Sequence, residues 1–356
     1  MTPGVLHVAS SREWRGGQRQ VWLLARELAR LGLSQRVLTG AGSELARRLE
    51  ASGVPVRAVR WRAGLDPRVL PALRAEARSG PSLIHAHDAH ALALAALASW
   101  GRSIPLVVTR RVDFPLRRPG LWRRAERVIA ISAAVARVLR TDGIDPGRIV
   151  IVRSGVDLEA AEAAAPIGLR ARLGIPADAI LAAHLGALVP HKDQATLLRA
   201  AALLRERCPT LYWVVAGEGE LRPELRSLLE ELGLGDRVHL VGQVSEPLGL
   251  LAEADLFVMS SRQEGLGTAV LDAMARGIPV ASTDAGGLPE MLAGGAGVLV
   301  PAGNPSALAD AVERLAGSPA LRQEIGARAR AAARRFSARR MAEEVLTVYR
   351  SCATLN

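Results

Sequence analysis

Short apolar runs rich in Val, Ile and Leu recur along the chain, separated by stretches with helical periodicity. GVLHVAS opens the series, followed by a helical stretch over about 17–31, QRVLTG, a second helical stretch near 43–52, and VPVRAV; SLIHAH, PLVVTR, RVIAIS and RIVIVRSG continue it. Strands alternating with helices at this spacing predict a mainly parallel sheet with helices on both faces. A second series, AILAAHLGAL, LYWVVAG, RVHLVG, DLFVMS, IPVAST and AGVLVP, follows the Ala/Glu-rich AEAAAP, and the break between the two falls near 157–175. The pattern predicts an α/β chain of two Rossmann-like, doubly wound parallel-sheet domains, 1–165 and 166–335, with a helical segment over 336–356. Ligands of open α/β sheets bind at the carboxyl ends of the strands. Polar residues there, facing a cleft between the domains, are the site candidates.

Composition narrows the class. At 356 residues, 49% of them apolar, the chain is long enough for two cores. Cys208 and Cys352 lie far apart without metal-like spacing, and the N-terminus lacks a signal pattern, which points to the cytoplasm. No apolar run reaches the roughly 20 residues of a membrane span. The net charge of +11 favours an anionic partner, but aromatics at 3% supply few platforms for base stacking, so nucleic acid is not expected. Nearly all of the basic residues are Arg; Lys192 is the only lysine.

The richest segment is DLFVMSSRQEGLGTAVLDAMARGIPVAST, 255–283. It reads as strand, glycine turn, amphipathic helix and strand, a phosphate-binding layout. Gly265 and Gly267 flank Leu266 and let the backbone approach an anion, and a helix from near Thr268 turns its N–H groups and positive dipole end toward the turn. Glu264 and Asp272, being carboxylates, should instead accept hydrogen bonds from hydroxyls. In GALVPHKDQ, Lys192 precedes a helix and can place a compact charge on a phosphate, and Arg262 can add a second. Gly217-Glu218-Gly219 and Gly242-Gln243 stand at two further strand ends, and Gly16-Gly17 links the first strand to a long helix. SLIHAHDAHA brings His85 and His87 to one strand face, yet the spacing is no zinc signature and no cysteine assists, so no metal is expected. After PLVVTR come Arg110 and Arg111, then Arg117, Arg118, Trp122, Arg123 and Arg124, a span suited to an anionic membrane face.

In order, these segments resemble the retaining glycosyltransferases of family 4, whose fold is GT-B, over nearly the whole chain. The family's donor signature is a Glu, seven residues and a second Glu; Glu264 matches the first and Asp272 stands for the second. The resemblance implies Glu264 on hydroxyls of the transferred sugar, Asp272 on the ribose and Lys192 on the pyrophosphate, with Ala187 where relatives carry an Arg. It further implies Gly16, Gly17, Gly217, Glu218, Gly219, Gly242, Gln243, Arg262, Gly265, Leu266, Gly267 and Thr268 around the donor. The catalytic set it implies is Glu264, Lys192, the cleft-lining His87 and Arg111, which stands where many relatives have a histidine, with Asp88 and Arg110 on the acceptor side. The last helix would cross back to the first domain. The activity implied is metal-independent, cofactor-free sugar transfer from a nucleotide-diphosphate donor to a saccharide or glycolipid hydroxyl, in envelope polysaccharide, lipopolysaccharide or glycolipid synthesis. The alternatives are a silent nucleotide-sugar-binding partner subunit and an epimerase of similar fold.

Overall fold

The computed structural model describes residues 4–11, 13–62 and 64–355. By its contacts the chain forms two compact units, residues 1–155 with 338–356, and residues 156–337.

The first unit holds seven parallel strands: β1 (Val5–Ala9), β2 (Gln35–Gly40), β3 (Val56–Val59), β4 (Leu83–Ala86), β5 (Leu106–Arg110), β6 (Arg127–Ala130) and β7 (Ile149–Ile151). Their order across the sheet is β3-β2-β1-β4-β5-β6-β7. The central strands are covered on both faces, which is why they read as unbroken apolar runs rather than alternating ones. Helix Gly16–Arg30 turns Val21, Leu24 and Leu28 inward, at helical spacing. Helix Ala338–Arg350 packs on that helix, with Val345, Leu346 and Tyr349 in a common core with Leu23, Leu24 and Leu28. Gly155 admits this approach, because a Cβ there would stand 2.6 Å from the Ala338 Cα.

The second unit holds β8 (Ile180–Leu185), β9 (Leu211–Ala216), β10 (Val238–Gly242), β11 (Leu256–Met259), β12 (Val280–Thr283) and β13 (Val298–Val300), all parallel, in the order β10-β9-β8-β11-β12-β13. The Ala/Glu-rich stretch belongs to this unit. Its helix Leu158–Ala163 buries Ala161 and packs on helix Thr268–Ala275, and Arg276 donates to the Ala164 carbonyl at 3.1 Å. The unit starts at residue 156, at the edge of the composition break and ten residues before the boundary expected at 166, because short alanine side chains let that helix dock instead of serving as a linker.

In both sheets the winding reverses once, between β1 and β4 and between β8 and β11. Loops leaving such a pair diverge and open a crevice. No helix among the described residues is long and apolar enough to cross a membrane.

Candidate functional site

In the second unit the crevice at the reversal is filled by two side chains from its two sides. Lys192 follows β8 and Glu264 follows β11, and the ammonium and carboxylate form an ion pair with side-chain exposures of 16% and 12%. Backbone bonds fix the two loops to each other: Ser260 Oγ donates to the Lys192 carbonyl at 2.9 Å and the Arg262 N–H to the His191 carbonyl at 2.8 Å. The Glu264 carbonyl in turn accepts from the Gly287 N–H at 2.9 Å, tying in the loop after β12. Beside the pair, helix Thr268–Ala275 starts at Gly267, φ 94°, with no side-chain cap and no acidic residue in its first turn. The N–H groups of Thr268 and Ala269 at its start are therefore available to an anion, while that of Val270 bonds the Gly267 carbonyl at 3.0 Å.

Other expected residues take quieter places. Arg262 is held by Asp193, Nε to Oδ2 at 2.6 Å. Asp193 sits in the left-handed region at φ 47° and caps helix Gln194–Leu204 through Thr196. Sequence reasoning passed over Asp193, although an Asp just before an apolar periodic run is a helix-start signal. His184, also passed over, lies buried within β8, its Nδ1 donating to the Val258 carbonyl at 2.9 Å, and burial lowers its pKa to about 4. Asp272 is 3% exposed. Glu218 pairs with Arg222 at 2.6 Å on the surface. Gln243 is exposed and lines a broad depression of about 990 Å³ with Arg172 and His239.

Gly217 and Gly219 act through packing. A Cβ would lie 1.8 Å from the Gly186 carbonyl oxygen at the first and 2.2 Å from the Leu188 carbonyl oxygen at the second. The β9 loop thereby presses directly on the loop that carries Lys192, with the Leu188 N–H on the Glu218 carbonyl at 3.0 Å. Gly219→Ala should cost about 3 kcal/mol, because backbone rather than a flexible side chain must give way. Gly235→Ala, with nothing within 4 Å, is the control and should stay within about 0.5 kcal/mol in urea unfolding.

In the first unit a cavity of about 180 Å³ opens at the reversal, lined by Gly17, Gln18, His87, Asp88, Arg110 and Arg111 among others. Helix Gly16–Arg30 points its start into this pocket without a side-chain cap or a first-turn acid. The Nε atoms of Arg110 and Arg111 are buried with no hydrogen-bond partner among the described residues. Burial lowers both pKa values, that of Arg111 to about 10. Asp88, the acid near Arg111, accepts from the Ser10 N–H, the Ser10 hydroxyl and the Ala91 N–H at 2.8, 2.6 and 2.9 Å, which commits it to capping helix Ala89–Ala98.

Behind the arginines lies a buried imidazole cluster. Arg111 Nη2 donates to His87 Nδ1 at 3.2 Å. A guanidinium cannot accept, so neutral His87 carries its proton on Nε2 and donates to His7 Nδ1 at 3.0 Å. His85, 4.0 Å from His87 between ring centroids, bonds Thr109 Oγ1 at 2.7 Å and the Tyr349 hydroxyl. Burial holds His85 and His87 well below the ordinary histidine range and His7 at about 4. The three side chains each place a ring nitrogen within 4.8 Å of the others. The donor set still suits no cation. Five of the six ring nitrogens are engaged, no carboxylate or thiolate joins the set, and the Arg111 guanidinium stands against His87.

One expectation is corrected outright. Trp122, read as part of a membrane-facing span, is 3% exposed, its ring 5.5 Å beneath the Arg110 guanidinium. Its large apolar area is worth more in the core than at the surface. Arg117, Arg118, Arg123 and Arg124 are exposed.

Comparison with known proteins bears on both halves. Residues 14–160 match the model described as Glycosyltransferase Family 4, and residues 168–332 that described as Glycosyl transferases group 1. The D-inositol 3-phosphate glycosyltransferase of Frankia alni is 32% identical, over 92% of this chain and 92% of that protein. The lipopolysaccharide core biosynthesis glycosyltransferase LpsE of Rhizobium meliloti is 32% identical over 58% of this chain and 52% of its own length. Three other curated relatives are spanned over only 52%, 57% and 64% of their own length. Among solved structures, Anabaena HepE in complex with UDP and glucose aligns at a TM-score of 0.87, 24% identical, over 98% of this chain and 100% of that one.

Proposed function

The chain belongs to the group 1, or family 4, glycosyltransferases, and on that premise we propose that it transfers a sugar from a nucleotide diphosphate to a hydroxyl with the anomeric configuration retained and without a metal ion. The observation that carries this reading is the Lys192–Glu264 ion pair at the winding reversal of the second sheet, beside an uncapped helix start. Lys192 and the N–H groups at Thr268 take the diphosphate. Glu264, released from Lys192 by the incoming phosphate, accepts hydrogen bonds from the sugar, and Asp272 reaches the ribose. Negative charge grows on the leaving phosphate as the glycosidic bond breaks, and these same groups stabilise it. They also supply the charge a metal would otherwise bring.

Retention by double displacement would need two carboxyl groups about 5–5.5 Å apart, one of them free to attack. Glu264 takes the sugar hydroxyls and Asp272 the ribose, so neither is the attacking carboxylate. A front-face route is the better fit: the leaving phosphate oxygen takes the acceptor proton as the new bond forms on the face just vacated. The UDP and glucose in HepE support a UDP-type donor.

The pocket of the first unit takes the acceptor. Its two arginines and helix start favour an acceptor with an anionic group close to the reacting hydroxyl. His87 sets the direction of Arg111 by accepting from it. The phosphorylated inositol and the lipopolysaccharide core named for the two relatives support this class and an envelope setting. The test is transfer in excess chelator, using the nucleotide sugar that most raises the melting temperature, with the product's anomeric proton read by NMR. Full turnover and the donor's own anomer are expected; an inverted product, or strict dependence on a divalent ion, overturns the reading.

A further inference from the structure

Trp100 is the most exposed large apolar side chain among the described residues, at 70%. The other five tryptophans of the chain are buried or half-buried. Burying an indole is worth a great deal, so one left in water invites a partner. Leu97, 48% exposed, stands beside it. The two line an open depression of about 420 Å³ whose other walls are Arg74, Arg78, Ala98 and Arg102. Arg124 places its guanidinium 4.7 Å from the Trp100 ring centroid. The surface is built from helices Leu70–Arg78 and Ala89–Ala98 and the turn that follows.

Charge decides what fits there. The two helices and the turn to Arg102 contain a single acid, Glu76. It is 7% exposed and turned away, bonded to Arg36 at 2.9 Å. An apolar anchor ringed by four unopposed guanidiniums does not complement a protein surface of mixed charge. It does match the headgroup level of an anionic bilayer, where an indole settles at the interface and guanidiniums meet lipid phosphates bidentately. We infer that this face docks the first unit on anionic lipid, with Trp100 and Leu97 as the inserted anchor and Arg74, Arg78, Arg102 and Arg124 as the charged rim. The site is separate from the pockets described above and does not depend on the proposed reaction. It replaces the span around Trp122 as the membrane-facing surface and keeps only Arg124 from it.

Sedimentation with vesicles tests this on the full chain. Wild type should bind vesicles of phosphatidylcholine with 30% phosphatidylglycerol, fail to bind pure phosphatidylcholine, and be released by 0.5 M salt. Each arginine removed should lower partitioning about fivefold, so the triple Arg74→Gln, Arg78→Gln, Arg102→Gln should lose about a hundredfold. Trp100→Ala should lose at least tenfold while its thermal midpoint stays put. Brominated lipid should quench a part of the fluorescence that Trp100→Ala removes. Absence of wild-type binding overturns the proposal, as does binding that neither variant weakens. So does a concentration-dependent dimer in velocity sedimentation that Trp100→Ala abolishes, which would give the face to a second copy of the chain.

Discussion

Glu264→Ala should lower kcat/KM by about a thousandfold while leaving nucleotide diphosphate binding intact or slightly tighter. The two halves of that result have separate causes. Hydrogen bonds from sugar hydroxyls to a carboxylate are worth about 1.5–3 kcal/mol each, and two of them, tightening as the sugar acquires positive charge, account for the loss. Diphosphate binding moves the other way because in the unliganded protein Glu264 occupies Lys192. A phosphate must displace the carboxylate before it can take the ammonium, and truncating Glu264 removes that competition. Lys192→Ala should show the complement: nucleotide diphosphate affinity falls about tenfold to a hundredfold, since a charged hydrogen bond is lost, and nucleoside affinity is unchanged. Lys192 is the chain's only lysine, so no neighbouring ammonium can substitute. The double variant should not be worse than the product of the two, because each partner's removal frees the other. Calorimetry with the diphosphate and the nucleoside, together with initial rates, reads all three. Glu290→Ala, in the first turn of helix Leu288–Leu292, is the reference. Should Glu264→Ala lose no more than Glu290→Ala, Glu264 is not at the reacting sugar.

What the sequence made legible is what depends on a strand's own neighbours. Apolar runs and glycine turns placed the two sheets, and the carboxyl ends of β8 and β11 carry Lys192 and Glu264 because a strand's end is visible in its pattern. The pairing of those two residues across 72 positions is a product of sheet order, which no local pattern encodes. The same holds for the imidazole cluster. Alternation put His85 and His87 on one face, but His7 joins them only because β1 pairs with β4 in a register that sets His7 opposite His85. Tyr349 arrives from 264 residues away on the last helix. Trp122 and Trp100 show the limit in its sharpest form. Both are tryptophans in Arg-rich surroundings, and only the packing of the helices decides which is covered. Gly217 and Gly219 were legible as turn glycines, but the reason they must be glycine, two carbonyl groups of a neighbouring loop, is tertiary.

Acid should unfold the first unit before the second. His7, His85 and His87 are buried and neutral, with His7 at about 4 and the other two well below the ordinary 6.5. In the unfolded chain all three take up protons near pH 6.5, whereas the folded unit refuses them until far lower pH. The stability these groups allow is therefore complete above about pH 6.5 and is lost as pH falls from there toward the folded values. Each histidine contributes a slope of about 1.4 kcal/mol per pH unit, so His7 alone removes about 3 kcal/mol between pH 6.5 and 4. A domain stability of about 5–15 kcal/mol leaves little room for three such groups. The second unit has one fully buried counterpart, His184, also at about 4, with the half-buried His239 lowered as well, and should lose less. Depressed carboxylates such as Asp66, at about 2, add their own loss only below about pH 4, so they do not mask the histidine window. Hydrogen exchange read by mass spectrometry at pH 7.0, 6.0 and 5.0, corrected for intrinsic rates, should show protection falling first in β1, β4 and helix Ala338–Arg350, while β8 and β11 hold. His7→Leu, which removes one proton acceptor, should flatten the pH dependence even if it lowers stability at pH 7. Protection in the first unit that stays level from pH 7 to 5 would mean that the cluster already takes up protons when folded, and that the neutral His87 on which the orientation of Arg111 rests is wrongly assigned.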